Sequence, residues 1–278
     1  MRELPDTGRK APTAYLGRVV RTERVTPHLV RVVLGGEGLR GFSADEFTDH
    51  YVKLHFPPPG AVYADPADLA AIRRELPRER RPRTRTYTVR SWNAGTGELA
   101  IDFVDHGASG VAGPWAAAAG PGDELVLSGP GGAYAPAAEA DWHLLAGDES
   151  ALPAIAAALE AMPAGTPVKA FVEVADAREE QLIESAAKVE LTWLHRGTRT
   201  VGDPLIEAVS ALEFPPGTVS AFVHGEAHFV KALRRHLRID RGLPARGLSI
   251  SGYWRRGADE DTWQATKSEW NRDVETGA

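Results

Sequence analysis

Arg83-Thr84-Arg85-Thr86-Tyr87-Thr88-Val89-Arg90 is the stretch on which the reading of this chain turns. Its core pattern is Arg-x-Tyr-Thr-x-Arg, with arginines set around one tyrosine. The run from Thr86 to Val89 is β-branched and aromatic, which suits a pleated strand better than a solvated loop. In a strand, Arg85, Tyr87 and Val89 share one face, and Thr86, Thr88 and Arg90 share the other. One face thus offers a guanidinium beside a flat ring, as a phosphate joined to an aromatic heterocycle requires. A flavin nucleotide carries both groups.

Around this stretch the spacing predicts further short strands at residues 19–25, 29–34, 51–56, 98–104 and 124–128. Short strands punctuated by Gly and Pro indicate an antiparallel β-barrel or sandwich, here over residues 13–138. Asn93-Ala94-Gly95-Thr96-Gly97 reads as a hairpin loop between two of the strands. Residues 1–12 are polar and proline-bearing, and a mobile tail is expected there.

Residues 57–84 interrupt the pattern with six prolines and a basic cluster at Arg73, Arg74, Arg78, Arg80, Arg81 and Arg83. Two readings stand: a solvated, partly disordered insertion, or a positive rim that draws an anionic ligand towards the site.

After Tyr134 the texture changes. Apolar runs at 142–146, 168–174, 191–194, 219–224 and 248–254 alternate with helical segments at 151–161 and 227–238. Buried strands alternating with helices indicate a parallel α/β sheet, placed over 139–257. At 258–278 a helix is expected, with Trp263, Lys267, Trp270 and Val274 on one face and Asp259, Glu260 and Asp261 at its start. The two tryptophans read as anchors that dock this helix onto the domains.

The 278 residues suffice for two cores, and a formal charge of −6 argues against nucleic acid as a partner. The absence of cysteine excludes disulfides, thiolate catalysis and iron–sulfur clusters. No segment approaches a membrane-spanning run, and residues 1–6 lack the apolar core of a signal peptide, so a cytoplasmic location is expected. No Gly-x-Ser-x-Gly elbow, Walker loop or HExxH pattern occurs, which removes the main hydrolase and metal signatures.

A second informative segment runs from Asp102-Phe103-Val104 through Asp105-His106-Gly107 to Gly110-Val111-Ala112-Gly113-Pro114-Trp115. A strand enters a Gly/Ser-rich turn and a helix follows, so free backbone N–H groups at the helix start offer a diphosphate seat.

In order, these two segments resemble the siderophore-interacting protein family of flavin-dependent ferric-siderophore reductases. Further matches are Tyr51-Val52-Lys53-Leu54-His55-Phe56-Pro57, Gly122-Asp123-Glu124-Leu125 with Gly129-Pro130, and Gly147-Asp148-Glu149-Ser150-Ala151-Leu152-Pro153-Ala154. His224-Gly225-Glu226-Ala227 and Gly252-Tyr253-Trp254-Arg255-Arg256-Gly257 complete the set, which spans roughly residues 15–257.

The resemblance implies an N-terminal antiparallel β-barrel that binds FAD, followed by a ferredoxin-reductase-like parallel α/β domain that receives NADH or NADPH. It implies that electrons pass from the nicotinamide through FAD to Fe(III) in a ferric siderophore, releasing Fe(II). By carry-over, Arg85, Thr86, Tyr87 and Thr88 contact the flavin, and Asp102, Phe103, Val104 and His106 line its ribityl and adenylate side. Gly110, Val111, Ala112 and Trp115 seat the diphosphate, and Asp148, Glu149 and Ser150 lie where the second domain meets the flavin. Lys53 and Arg246 are expected at the anionic siderophore. Some relatives carry a further basic residue in the Gly-Pro-x-Gly segment, where this chain has Gly131. The extension beyond Tyr253-Trp254 resembles the nicotinamide-using branch. No protein metal ligand and no catalytic side chain are implied, and a monomer is expected. The alternative is a flavin-binding module, or a general flavin or ferric reductase with another acceptor.

Overall fold

Alternation of apolar and polar residues closes the first half of the chain into a barrel. The computed structural model describes residues 13–105, 107 and 109–276; the tail at 1–12 and His106 lie outside the described residues. Six antiparallel strands, β1 (Ala14–Thr26), β2 (Leu29–Gly35), β3 (Tyr51–Phe56), β4 (Arg83–Asn93), β5 (Glu98–Val104) and β6 (Glu124–Gly131), are ordered β1-β2-β5-β4-β3-β6. Closure leaves no edge strand to protect. Val52, Leu54 and Phe56 of β3, Leu99, Ile101 and Phe103 of β5, and Leu125 and Leu127 of β6 fill the interior. Their partners one residue along face outwards, as a period of two dictates.

The insertion between β3 and β4 contains a helix, α1 (Leu69–Glu75), in place of an unstructured loop. Asp68 caps it by accepting the Ala71 N–H at 2.8 Å, and Ile72 is buried beneath it. Arg81 Nε then donates to the Leu76 carbonyl at 2.8 Å, which ties the arginine cluster back onto the helix. Helix α2 (Ala112–Ala118) follows β5.

The second half is a parallel sheet of β7 (Trp142–Gly147), β8 (Pro167–Val174), β9 (Lys188–His195), β10 (Val219–Glu226) and β11 (Leu248–Trp254). The strand order is β11-β10-β7-β8-β9. One face of the sheet packs on α3 (Leu152–Ala161), and the other on α4 (Asp203–Ala211) and α5 (Ala227–Arg235). The chain runs outwards from β7 in both directions, so the carboxyl ends of β7 and β10 flank a switch-point crevice, where such sheets bind ligands.

Helix α6 (Glu260–Thr276) returns to both halves. Trp263 is 1% exposed, packs against Gly252 of β11 and meets Trp270 edge-on at 5.4 Å. Among the described residues no helix is long and apolar enough to cross a membrane.

Candidate cofactor and substrate site

On β4 the strict alternation holds only as far as Val89. Val89 faces Ile101 and Ser91 faces Ala100, so Arg90 is an extra residue that bulges from the ladder. Its guanidinium, 12% exposed, makes a forked pair with Glu160 of α3 and so crosses between the domains. Tyr87 packs on Phe103 with ring centroids 4.5 Å apart, and Phe103 and Phe56 both meet Trp115 of α2 at 5.7 Å. Burial holds the Tyr87 hydroxyl protonated well above the usual phenol range, with Glu260 adding to the effect and Arg85 opposing it. Arg85 donates to the Thr84 carbonyl at 2.7 Å and lies 3.5 Å from Asp261. The Thr86 N–H donates to Glu260 at 2.9 Å, and Thr88 is buried.

The turn before α2 has Gly107 at φ 75° and Gly110 at φ 80°, and a Cβ on either would meet nothing within 4 Å. The space above this turn is therefore open. Helix α2 begins at Ala112, after Val111, with no side-chain cap, so the Ala112 and Gly113 N–H groups have no side-chain acceptor, and Pro114 has no N–H to satisfy. Val111 and Trp115 pack on the barrel core, and Ala112 is buried in it. A guanidinium, an aromatic wall and bare amides in succession are the donor set that FAD requires, and these residues fit it.

The remaining expected residues divide by role. Phe103 belongs to the barrel core. Asp102 is buried and held in a fork by Arg31 at 2.7 and 2.8 Å, with Arg90 at 4.0 Å, so its carboxylate is committed within the protein. Val104 borders a cleft of about 160 Å³ between the barrel and the sheet, lined also by Thr26, Glu149, Glu179 and Arg196. Glu149 pairs with Arg196 at 2.8 Å, and Arg196 reaches buried Glu173 at 3.2 Å.

Asp148 sits at the switch point yet is fully buried. Its Oδ1 accepts the N–H and hydroxyl of Ser150, and its Oδ2 accepts the N–H of Glu226 at 2.9 Å and the indole N–H of Trp254 at 2.8 Å. Burial, with Glu149 nearby, raises its pKa to about 6. Gly225 is required opposite it: at φ 137°, a Cβ there would lie 2.7 Å from the carboxylate. Asp148 positions the crevice and presents no free acceptor to a ligand.

Lys53 is exposed on the outer face of β3, in register with Thr86 on one side and Ser128 on the other. On the same face His55 is lowered to about 4 by burial, then Lys53, then Arg73 of the insertion. Arg73 of the insertion thus stands near enough to this face to act on His55. Arg246 stands apart from these residues. It precedes β11, which runs parallel to β10, so it lies at the amino end of the sheet and away from the crevice. At the carboxyl ends of β10 and β11 stand Lys231, Arg255 and Arg256, to which the sequence reading gave no binding role. The signal available was position, since Arg255 and Arg256 directly follow a parallel strand and Lys231 lies in the first turns of α5. Among the described residues no group of three His, Cys, Asp or Glu could hold a metal ion.

Comparison with known proteins gives a consistent result. Residues 18–134 match the siderophore-interacting FAD-binding domain, and residues 140–257 match the siderophore-interacting protein model. The ferric vibriobactin reductase of Vibrio cholerae is 37% identical over 88% of this chain and 90% of its own length. The NADPH-dependent ferric-chelate reductase of Escherichia coli is 33% identical over 85% of this chain and 91% of its own. A siderophore utilization protein from T. fusca superposes with a TM-score of 0.76 at 41% identity, over 88% of this chain and 94% of that one. A ferredoxin reductase at 16% identity and a TM-score of 0.61 shares the fold alone, over 87% of this chain and 69% of its own. Barrel, glycine turn, parallel sheet and these likenesses agree: the chain belongs to the siderophore-interacting protein family.

Proposed function

We propose that this chain is a cytoplasmic FAD-dependent reductase of ferric siderophores, with NADPH or NADH as electron donor. The observation that carries the reading is the convergence of Arg85 and Tyr87 on β4 with the uncapped start of α2, packed through Phe103 and Trp115. The named activities of the Vibrio cholerae and Escherichia coli relatives support the acceptor, and the latter supports the donor. FAD, when bound, supplies the exchange between a two-electron donor and a one-electron acceptor.

The protein's own part is binding and orientation. Tyr87 offers a ring face, and Arg85 with the α2 amides meets the phosphates. Asp148 holds Trp254 and Glu226 at the crevice, so the donor-side wall is set before any ligand arrives. Lys53 and Arg73 give the outer face of β3 a positive field that draws an anionic ferric chelate. Ferrous iron is held far less tightly by hard oxygen donors than ferric iron, so reduction frees it without a protein metal ligand.

The test is anaerobic. NADPH or NADH added to FAD-loaded protein should bleach the flavin band, and ferric siderophore added next should restore it with Fe(II) captured by a ferrous-specific chelator. A flavin that neither nucleotide bleaches, or a reduced flavin that yields no Fe(II), would refute the proposal.

A further inference from the structure

The outer face of the barrel at β3 carries less charge than the nearby arginines suggest. Three rows of residues share that face. Tyr51, Lys53 and His55 of β3 stand between Thr88, Thr86 and Thr84 of β4 on one side and Gly131, Ser128 and Val126 of β6 on the other. Lys53 is the single cation among them, because burial, with Lys53 and Arg73 nearby, holds the His55 pKa at about 4 and leaves its ring neutral. The His55 ring is already bonded within the face, to the hydroxyls of Ser128 at 2.9 Å and Thr84 at 3.3 Å.

An acid stands against that cation. Glu260, at the start of α6, accepts at 2.9 Å the N–H of Thr86, the residue in register with Lys53. Asp261 follows it, 3.5 Å from Arg85. Arg73 acts from the exposed insertion, so its field hastens approach more than it holds a bound ligand. The face itself is close to neutral, and its other polar groups are hydroxyls.

Tyr51 is the large surface left open there. It is 40% exposed and lies in register with Thr88, next to Tyr87 on the strand assigned to the flavin. Its ring leans over Gly131: a Cβ at 131 would lie 2.6 Å from the Tyr51 hydroxyl oxygen and 2.8 Å from Cε1. Strand β6 carries an extra residue between Ser128 and Gly131 to reach this arrangement, with Gly129 at φ 135°. While the ring is there, no side chain at 131 can stand beside Lys53. An aromatic face fills the place of a second cation.

Such a face suits a bulky ligand of low charge, since the ring covers apolar surface and one lysine balances about one negative charge. A polyanion would remain largely uncompensated and would meet the α6 acids at short range. The charge of an iron chelate follows from its ligand groups. Three hydroxamates give up one proton each and leave the ferric complex neutral, whereas three catechols give up two each and leave a trianion. We propose that Tyr51, seated on Gly131, makes this face selective for ferric chelates of low charge, of the trihydroxamate class, over trianionic tricatecholates. The proposal rests on the reductase reading above and narrows its substrate.

The test compares binding in place of rate, because the two chelate classes differ in reduction potential. Gallium(III) replaces iron so that no electron moves, and the probes are gallium desferrichrome, which is neutral, and gallium enterobactin, a trianion. Calorimetry on the full FAD-loaded chain should show the neutral complex bound at least about tenfold more tightly. Tyr51→Lys removes the ring and adds a charge at an exposed position, outside the barrel core. With the flavin still bound, it should weaken the neutral complex and tighten the trianion, each by about threefold, the scale of one exposed charge. Glu260→Gln keeps an acceptor for Thr86 and removes the negative charge, so it should tighten the trianion alone by about threefold. Preference for the trianion in the wild type would overturn the proposal, as would an unchanged preference in flavin-loaded Tyr51→Lys. The bleaching experiment is independent: its failure removes the reductase reading, whereas a flavin that bleaches and yields Fe(II) in a protein that binds the trianion best removes only the charge selectivity.

Discussion

The Asp148 carboxylate accepts the Trp254 indole N–H at 2.8 Å and, through the same oxygen, the Glu226 backbone N–H at 2.9 Å. One side chain of the β7 turn thereby fastens the carboxyl ends of β10 and β11. In Asp148→Asn the amide nitrogen must face two donors on one side or the other, and both of those hydrogen bonds are lost. Stability should fall by about 3 kcal/mol, read by urea denaturation.

Asp148 also sets a pH dependence. Its folded pKa of about 6 lies above the ordinary 3.8, so the folded state binds the proton more tightly than the unfolded chain. Its contribution to stability is therefore fully present below about 4 and is lost as pH rises through about 6. Urea titrations across that window should show this component in the wild type and not in Asp148→Asn.

Tyr87 and Phe103 stand 4.5 Å apart, so the tyrosine ring is held before any ligand binds. Tyr87→Phe keeps that ring and should retain FAD within a few-fold. Tyr87→Ala should weaken FAD by about tenfold or more, which corresponds to about 1.4 kcal/mol. Flavin fluorescence titration of the apoprotein measures both, and equal losses would take the ring out of the site.

Asp261 lies 3.5 Å from Arg85, the guanidinium assigned to a phosphate. A carboxylate and a phosphate compete for one cation. Asp261→Asn should tighten FAD by about threefold, a modest effect because the aspartate is half exposed. Weaker FAD binding would mean that α6 clasps the cofactor in place of competing with it.

Arg90 ties the barrel to α3 through Glu160. Arg90→Ala leaves Glu160 without its partner, and Asp102 with Arg31 alone. Calorimetry should show the single unfolding transition broaden or split as the two domains lose coupling; an unchanged transition would place the coupling elsewhere.

Much of the fold was legible because strand and helix periods differ. The barrel strands and the parallel sheet announce themselves by apolar alternation and by continuous apolar runs. Helix α4 was missed since its short amphipathic turn lies in polar surroundings, held by Gly202 at φ 92° and by buried Glu173 accepting the Gly202 N–H. Helix α1 hid among prolines because its stability comes from one cap and one buried isoleucine. The bulge at Arg90 is a property of β5 as much as of β4, and no local pattern encodes it. Site residues follow the same logic. That Arg85 and Tyr87 lie on one strand is readable locally, whereas the use of the Asp148 oxygens by Trp254 and Glu226 is visible only in the fold. Arg246 and Arg255 differ only in which end of β11 they occupy, and only the sheet decides that.

The contact between Thr86 and Glu260 joins residues 174 positions apart. Barrel and sheet are both synthesised before α6 exists. At about 5–20 residues per second, the cofactor strand waits roughly 10–30 s for the helix that will lie across it. Assembly therefore has a direction in time: the barrel and the sheet are complete before the helix that lies across β4 can pack on them.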